Sequence, residues 1–397
     1  MPVPRTLLLL AAALPFAALG AKKPAVEKEY VVGTPESGVV WSDVAKPGNG
    51  VNSLRIPGLA VTPKGTLVAV FDLRYNNYGD LPGRIDVAAV RSENGGKSWS
   101  APAKAIAFDS SEPGSRGNGV GDPSMLVDRE SGTVWVAALH AFGNRAWRGS
   151  GPGLEKTETG QFVLAKSDDD GRTWSEPVSI TKQVKDPAWK LCFQGPGNGI
   201  CTSRGALVFP AQYRAGDKAG TEHSFFIYST DHGATWHASP PAAPGHRTTE
   251  SQICERADGS LLLSMRNHTK GGKRAWAVFT PKGGDFAKGS WGPVEFQISD
   301  PVCAGGLASN PKNRSEVVFT NPAGPGRANL TAYLSTDGGK TWPHKRLIQP
   351  LNAQYSAALY LPDGAIGVIY ESGKETNNPK DSIRFARITA DWIKAGK

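Results

Sequence analysis

The chain is 397 residues long, and its 45 lysines and arginines outweigh 36 acidic residues to give a formal charge of +9. That excess would suit nucleic acid, but there is no arginine-rich run, basic helix or recognised nucleic-acid motif, so the charge points instead to arginines gathered around an acidic small molecule. The four cysteines, Cys192, Cys201, Cys254 and Cys303, match no metal-ligand spacing, so no metal and no cofactor is expected, and they allow zero to two disulfides of unspecified pairing.

The N-terminal stretch MPVPRTLLLLAAALPFAALG holds one arginine, no acid and a run of Leu, Ala and Phe, and it ends in the small residues Ala18-Leu19-Gly20. It reads as a secretory signal peptide over residues 1–20, cleaved before Ala21, with an apolar run too short to anchor comfortably in a bilayer. An exported protein, periplasmic or secreted, is expected, with residues 21–397 as its mature part. Along that part, the runs TLVAVF, TVWVAAL, SFFIYS, SLLLSM, EVVFT and AIGVIY alternate with turn clusters, and 47 Gly and 30 Pro are spread without a linker. Short β-branched and aromatic runs between turns are the signature of an all-β chain. Helical periodicity is confined to the last few residues, and a single domain is expected.

Four octapeptides obey the rule Ser-x-[Asp/Asn]-x-Gly-x-[Thr/Ser]-Trp: residues 92–99, 167–174, 229–236 and 335–342. Recurrence at intervals of roughly fifty to a hundred residues marks copies of one supersecondary unit. The glycines suit a left-handed turn, the Asp or Asn side chain can accept hydrogen bonds from its amides, and the Trp is a large anchor for burial between sheets. Each box is therefore a structural hairpin turn, and Asp169, Asp231 and Asp337 are set aside as catalytic candidates. A six-bladed propeller with about four strands per blade accommodates the length in one domain.

These boxes resemble the Asp boxes of the sialidase (neuraminidase) superfamily, which sit at hairpin turns of a six-bladed β-propeller. The resemblance implies that they lie on the outer side of the blades, away from the substrate face. It extends beyond the boxes. Leu54-Arg55-Ile56-Pro57-Gly58-Leu59 resembles the motif opening the first blade, Leu263-Ser264-Met265-Arg266-Asn267 the strand end carrying a second arginine, and Asn321-Pro322-Ala323-Gly324-Pro325-Gly326-Arg327 the stretch carrying a third. By this resemblance Arg55, Arg266 and Arg327 form a triad on the carboxylate of sialic acid. A guanidinium pairs with a carboxylate through two parallel hydrogen bonds, and three mutually repelling cations call for a supporting acid. Glu371, in Ile369-Tyr370-Glu371-Ser372, matches that acid and is expected to pair with Arg55.

Tyr355, in Ala353-Gln354-Tyr355-Ser356, resembles the family's nucleophile, and Glu250, in Thr248-Thr249-Glu250-Ser251, its partner base. Sialidases depart from most retaining glycosidases in using tyrosine. A neutral phenol, deprotonated only as it attacks, largely avoids the repulsion an anion would meet at a carbon bearing a carboxylate. The acid/base of the family lies in a loop shortly after a further substrate-facing arginine. Here Phe71-Asp72-Leu73-Arg74 leads into Tyr75-Asn76-Asn77-Tyr78-Gly79-Asp80-Leu81-Pro82, making Arg74 that arginine and Asp80 the acid/base, with Asp72 and Asp86 as rivals. Gly121-Asp122-Pro123-Ser124 resembles the segment whose aspartate contacts the C4 hydroxyl with Arg74. Trp147 is a candidate cover for the N-acetyl or glycerol arm, and Gln194, beside a Gly-rich turn, for the substrate face; plain packing remains an equal reading for both.

Taken as a set, these matches imply an exo-α-sialidase that removes terminal α-linked sialic acid from glycoproteins, glycolipids or oligosaccharides, with retention through a tyrosyl intermediate. It is expected to work as a monomer, without cofactor, nucleic acid or membrane insertion. Two alternatives stay open. A trans-sialidase would pass the sugar to another sugar, and a non-catalytic sialic-acid-binding propeller would need the arginines but not Tyr355, Glu250 and Asp80 together.

Overall fold

Short strands separated by turns bury their apolar faces by packing sheet on sheet, and in this chain the sheets close into a ring. The computed structural model describes residues 39–269, 271–324, 326–373 and 382–396. The leader expected over residues 1–20 lies outside the described residues. The ring is the expected six-bladed propeller, each blade an antiparallel meander running from the central channel outwards. The first blade is Ser53–Val61, Leu67–Arg74, Ile85–Ser92 and Ala103–Ile106, and the second is Gly119–Val127, Val134–Ala141, Gln161–Ser167 and Val178–Ser179. The fourth begins with Thr248–Glu255 and Leu261–Asn267, followed by Lys273–Lys282, against which both Asp285–Trp291 and Glu295–Ser299 pair.

Two features tie the ring shut. A single strand, His344–Tyr360, pairs through its first half as the outer edge of the fifth blade and through its second half, from Ala353, as the inner strand of the sixth. The N-terminal strand Val40–Ala45 then pairs with Ser382–Ile388 as the outer edge of that last blade, so residues from both ends of the chain complete one sheet. Among the described residues helix is sparse: the turn Ala390–Lys394, where periodicity suggested one, and Thr181–Val184.

Both faces of nearly every inner strand are buried, because each blade packs against two neighbours. Alternation divides the run Leu67–Phe71 between them. Leu67, Ala69 and Phe71 face the sixth blade through Ile369 and Phe385, whereas Val68 and Val70 face the second through Met125 and Val136. Similar clusters fill the other interfaces, such as Leu262, Trp276, Val317 and Phe319 between the fourth and fifth blades. This double burial is why the strands read as continuous apolar runs rather than alternating ones.

The third blade is irregular, and the irregularity organises the centre. Its inner strand is split into Leu191–Gln194 and Ile200–Cys201, which both pair with Leu207–Arg214, while Gly197–Asn198 leaves the blade to pair in parallel with the second. Asn198 consequently sits among four blades. Its Oδ1 accepts from the Leu59 amide (2.8 Å), its Nδ2 donates to the Ala358 carbonyl (3.0 Å), and its amide donates to Gln252 Oε1 (3.2 Å). Glycine is required at this crossing: a Cβ on Gly58 would lie 2.5 Å from the Gly197 carbonyl oxygen.

All four boxes follow the third strand of their blade, at the edge opposite the inner-strand starts. In the third box, Asp231 accepts from the Ser229 hydroxyl (2.7 Å), the Thr235 amide (2.9 Å) and the Thr235 hydroxyl (2.5 Å). Partial burial pulls this carboxyl upward, but those bonds prevail and hold it at about 2. Trp99 and Trp236 are buried between blades, and Trp174 and Trp342 are half-buried. All four cysteines are free thiols. In the first box Gly96 has φ +88°, and a Cβ there would meet the Phe385 ring at 2.3 Å. Gly96→Ala is therefore expected to destabilise the fold by about 1–3 kcal/mol, read as a lower urea midpoint, with activity per folded molecule unchanged.

Candidate active site

The mouth opposite the boxes gathers the starts of inner strands, the ends of second strands and the loops that follow them. Four inner strands carry a register shift there, between Arg55 and Gly58, Gly121 and Ser124, Thr248 and Ser251, and Ala353 and Ser356. A bulge bends the strand and re-aims the side chain it carries. These bulges contain or border Arg55, Asp122, Glu250 and Tyr355, the residues singled out from sequence. Two of them hold non-glycine residues at positive φ, Ile56 at 60° and Asp122 at 57°. Such backbone persists only where surroundings over-determine it, and here the Ile56 amide donates to Glu371 Oε1 (2.8 Å) and the Asp122 amide to Asp72 Oδ1 (3.0 Å).

The resulting cavity, about 280 Å³, is lined by Arg55, Asp80, Asp122, Trp147, Glu250, Arg266, Arg327 and Tyr355 among others. That is close to the lower end of roughly 300–1,000 Å³ typical of small-molecule sites, enough for one sugar. A larger cavity of about 500 Å³ opens at the other mouth, but its wall is mostly apolar, its Arg314 is paired with Glu255 at 2.9 Å, and its Arg129 and Lys312 donate to backbone carbonyls. Convergent unsatisfied chemistry lies in the smaller one.

Its centre is Tyr355. The phenol donates to Glu250 Oε1 at 2.5 Å, and Arg266 Nη1 donates both to the phenol oxygen (2.8 Å) and to Glu250 Oε2 (2.7 Å). Arg55 and Arg327 flank the ring, their guanidinium carbons 5.2 and 5.4 Å from its centroid. Arginines distant in sequence thus meet around one tyrosine. Burial and the Glu250 carboxylate push the phenol well above its ordinary range, against the pull of Arg266 and Arg327. The resting tyrosine is therefore neutral. Burial also pushes Glu250 upward, but Arg266, the tyrosine hydrogen bond and Arg327 overcome it and keep the group an ionised acceptor.

Glu371 pairs with Arg55 as expected: Arg55 donates through Nε to Oε1 (3.1 Å) and through Nη2 to Oε2 (3.3 Å). Glu371 lies beneath the cavity, fully buried, so its acts through Arg55 rather than on a ligand. Arg74 is also kept off the cavity wall. Its Nε and Nη2 donate to Asp72 (3.1 and 2.8 Å), and its Nη1 donates to the Tyr78 carbonyl and to Asp80, both at 2.7 Å. With its donors committed, Arg74 is a clamp on the loop rather than a ligand-facing group.

The rivals of Asp80 separate cleanly. Asp72 is buried under Arg74, and Asp86 accepts from the Tyr75 hydroxyl and Lys104, both at 2.8 Å, away from the cavity. Only Asp80 of the three lines it, with a side chain 74% exposed. Burial raises its carboxyl, but Arg74 and Arg55 dominate and hold it below the usual range. Burial and the Asp72 and Asp80 charges raise Asp122, at the cavity edge, well above that range against the pull of Arg74. Trp147 lines the cavity edge-on to Phe193, with ring centroids 6.1 Å apart. Gln194 is not on the wall. It is fully buried, and its Nε2 donates to the carbonyl of Asp122, so it steadies the bulge beneath the cavity.

The cavity also has a polar wall that sequence reasoning missed: Gln212, Arg247, Thr249 and His268. Arg247 donates to the buried Glu222 (2.8 Å), and His268 Nε2 lies 2.9 Å from the Thr249 hydroxyl. The available signal was adjacency, since Arg247 and Thr249 precede Glu250, and His268 follows Arg266, on strands already marked.

A phenol ringed by arginines at one mouth of a propeller suits an anionic ligand of sugar size. Residues 65–368 match the BNR repeat-like domain family. A sialidase of Bacteroides fragilis is 42% identical over 336 residues, covering 81% of this chain and 60% of the relative. A sialidase of Micromonospora viridifaciens is 32% identical over 406 residues, covering 97% and 59%. Among solved structures, the Hadza microbial sialidase Hz136 is 37% identical with a TM-score of 0.78, covering 87% of this chain and 67% of that one. The chain belongs to the bacterial sialidase family and carries its BNR repeat-like propeller. It spans about 60% of the length of those two curated relatives.

One wall residue makes stability depend on pH. Burial, with Arg266 and Arg247 nearby, lowers His268 from 6.5 to about 4. Between these values the unfolded chain holds a proton on this ring that the folded chain does not, so stability rises with pH across that window and is lost as pH falls through it. His268→Gln is expected to flatten part of the slope of unfolding free energy between pH 6.5 and 4, measured by urea titration.

Proposed function

We propose that the chain is an exported exo-α-sialidase, removing terminal α-linked sialic acids from glycoconjugates with retention of configuration. The observation that carries this reading is the short bond from the Tyr355 hydroxyl to Glu250 within a ring of three arginines. A sialic-acid-binding protein needs cations for the carboxylate, but it has no use for a neutral phenol held against an ionised acceptor.

The substrate carboxylate settles against Arg55, Arg266 and Arg327, which places the anomeric carbon before Tyr355. As the phenol oxygen bonds to that carbon, Glu250 takes its proton, so negative charge never accumulates on a free nucleophile. Asp80 gives a proton to the departing glycosidic oxygen. In the second half it removes one from water, whose oxygen displaces the tyrosine, and the phenol regains its proton from Glu250. In the open site Asp80 is held acidic by Arg74 and Arg55. The bound carboxylate neutralises part of that field and the sugar excludes water, and both changes move Asp80 upward into the range of a general acid. The aromatic wall of Trp147 and Phe193 suits an acetamido methyl, and Asp122 a ring hydroxyl. Export is supported by the signal-peptide pattern of residues 1–20.

Hydrolysis of a fluorogenic sialoside tests the reading. Asp80→Asn is expected to lower kcat by about 10²–10⁴-fold. Tyr355→Phe should lower it at least about a hundredfold while free sialic acid still binds. A parent protein that binds sialic acid but releases no fluorophore between pH 4 and 8 would make it a lectin, and product bearing sialic acid on added lactose would make it a transferase.

A further inference from the structure

Beneath the arginine triad lies a fourth arginine that takes no part in it. Arg274 is wholly buried, facing the fifth blade beside Ser264 and Arg266. Its Nε donates to the Ser264 hydroxyl (2.8 Å), and its Nη1 donates to Asp300 Oδ2 (3.4 Å) and to the Cys303 carbonyl (2.5 Å). Asp300 accepts in turn from the Cys303 amide (3.1 Å) through its other oxygen. One ion pair therefore grips both backbone polar groups of Cys303. A buried cation destabilises a fold unless it is fully paired, so its presence at this depth calls for a reason.

The reason lies in what the gripped segment presents. Between Asp300 and Cys303, Val302 adopts φ +58°, a left-handed conformation disfavoured for a β-branched residue. In that conformation the Val302 carbonyl accepts from Arg327 Nη2 (3.2 Å), while Cys303 and Ala304 pack with Ile56 and the Tyr355 ring. The other Arg327 terminus is held by Gln354 (3.2 Å). We propose that the Arg274–Asp300 pair is a positioning device, which locks the strained Val302 turn so that its carbonyl aims Arg327 at the substrate carboxylate. This inference rests on the sialidase reading for its kinetic consequence, though not for its structural one.

The test is a cycle with Arg327. A double variant, Arg274→Met with Asp300→Asn, removes both charges together and avoids stranding one in the interior. It is expected to lower kcat/KM for a sialoside about tenfold on the parent background but less than about twofold on an Arg327→Ala background, because the clamp acts through that side chain. A core variant with a similar loss of thermal stability, such as Phe209→Leu in the third blade, should leave kcat/KM unchanged. Parent-like kcat/KM in the double variant, or the same tenfold loss with and without Arg327, overturns the proposal. Should the double variant fail to fold, Arg274→Lys keeps the charge but cannot span Ser264, Asp300 and the Cys303 carbonyl, and the same non-additive loss is expected of it. Amide exchange at Cys303 needs no substrate: faster exchange in the variant supports the clamp and unchanged protection overturns it, even if the parent proves unable to cleave sialosides.

Discussion

Closure of the ring is the constraint from which the site follows. Asn198 stands at the centre with hydrogen bonds to the first, fourth and sixth blades and a parallel pairing to the second. Arg55 belongs to the first blade, Glu250 and Arg266 to the fourth, Arg327 to the fifth, and Tyr355 and Glu371 to the sixth. None of these blades positions its neighbours' side chains by local structure. Their convergence to within hydrogen-bond distance depends on inner strands held at fixed angles around the channel, which is what the hub and the shared strand His344–Tyr360 enforce.

Electrostatics at the mouth then follow from concentrating cations. Three guanidinium groups around one phenol repel one another, and the molecule answers with carboxylates at two depths. Glu371 and Asp300 lie in the dry layer below, each bound to an arginine and each also holding backbone: Ile56 in one case, Cys303 in the other. Glu250 and Asp80 stand at the cavity itself, where the chemistry proposed here needs a proton acceptor and a proton donor. Glu371 fixes Arg55 of the triad, Asp300 pairs with the buried Arg274 outside it, and the upper pair is left to react.

Much of this was legible in the sequence, for a physical reason. The Asp boxes are local devices, a turn whose own side chains satisfy its amides, so eight residues suffice to declare them. Arg55, Arg266, Arg327, Tyr355, Glu250 and Asp80 were recognisable because their flanking residues resemble the family's motifs, and for Arg55, Glu250 and Tyr355 those flanks make the bulges that aim them. What escaped was non-local. Arg74 was expected to face the ligand, but the buried acid two residues before it, together with the loop it holds, claims its donors. Gln194 was a candidate for the substrate face, yet the Gly-rich turn beside it drives the chain across the channel and turns Gln194 under Asp122. The wall of Arg247, Thr249 and His268, and the Arg274 pair, rest on contacts between elements that no single segment advertises.

The last blade draws its outer edge from Val40–Ala45 and its other strands from residues beyond Ala353. Val40–Ala45 precedes the other strands of the ring in chain order, yet it has no partner until Ser382–Ile388 is in place. Losing Ser382–Ile388 would therefore strip the sixth blade, which carries Tyr355 and Glu371, of its whole outer half, because the earlier strand has nothing else to hold it.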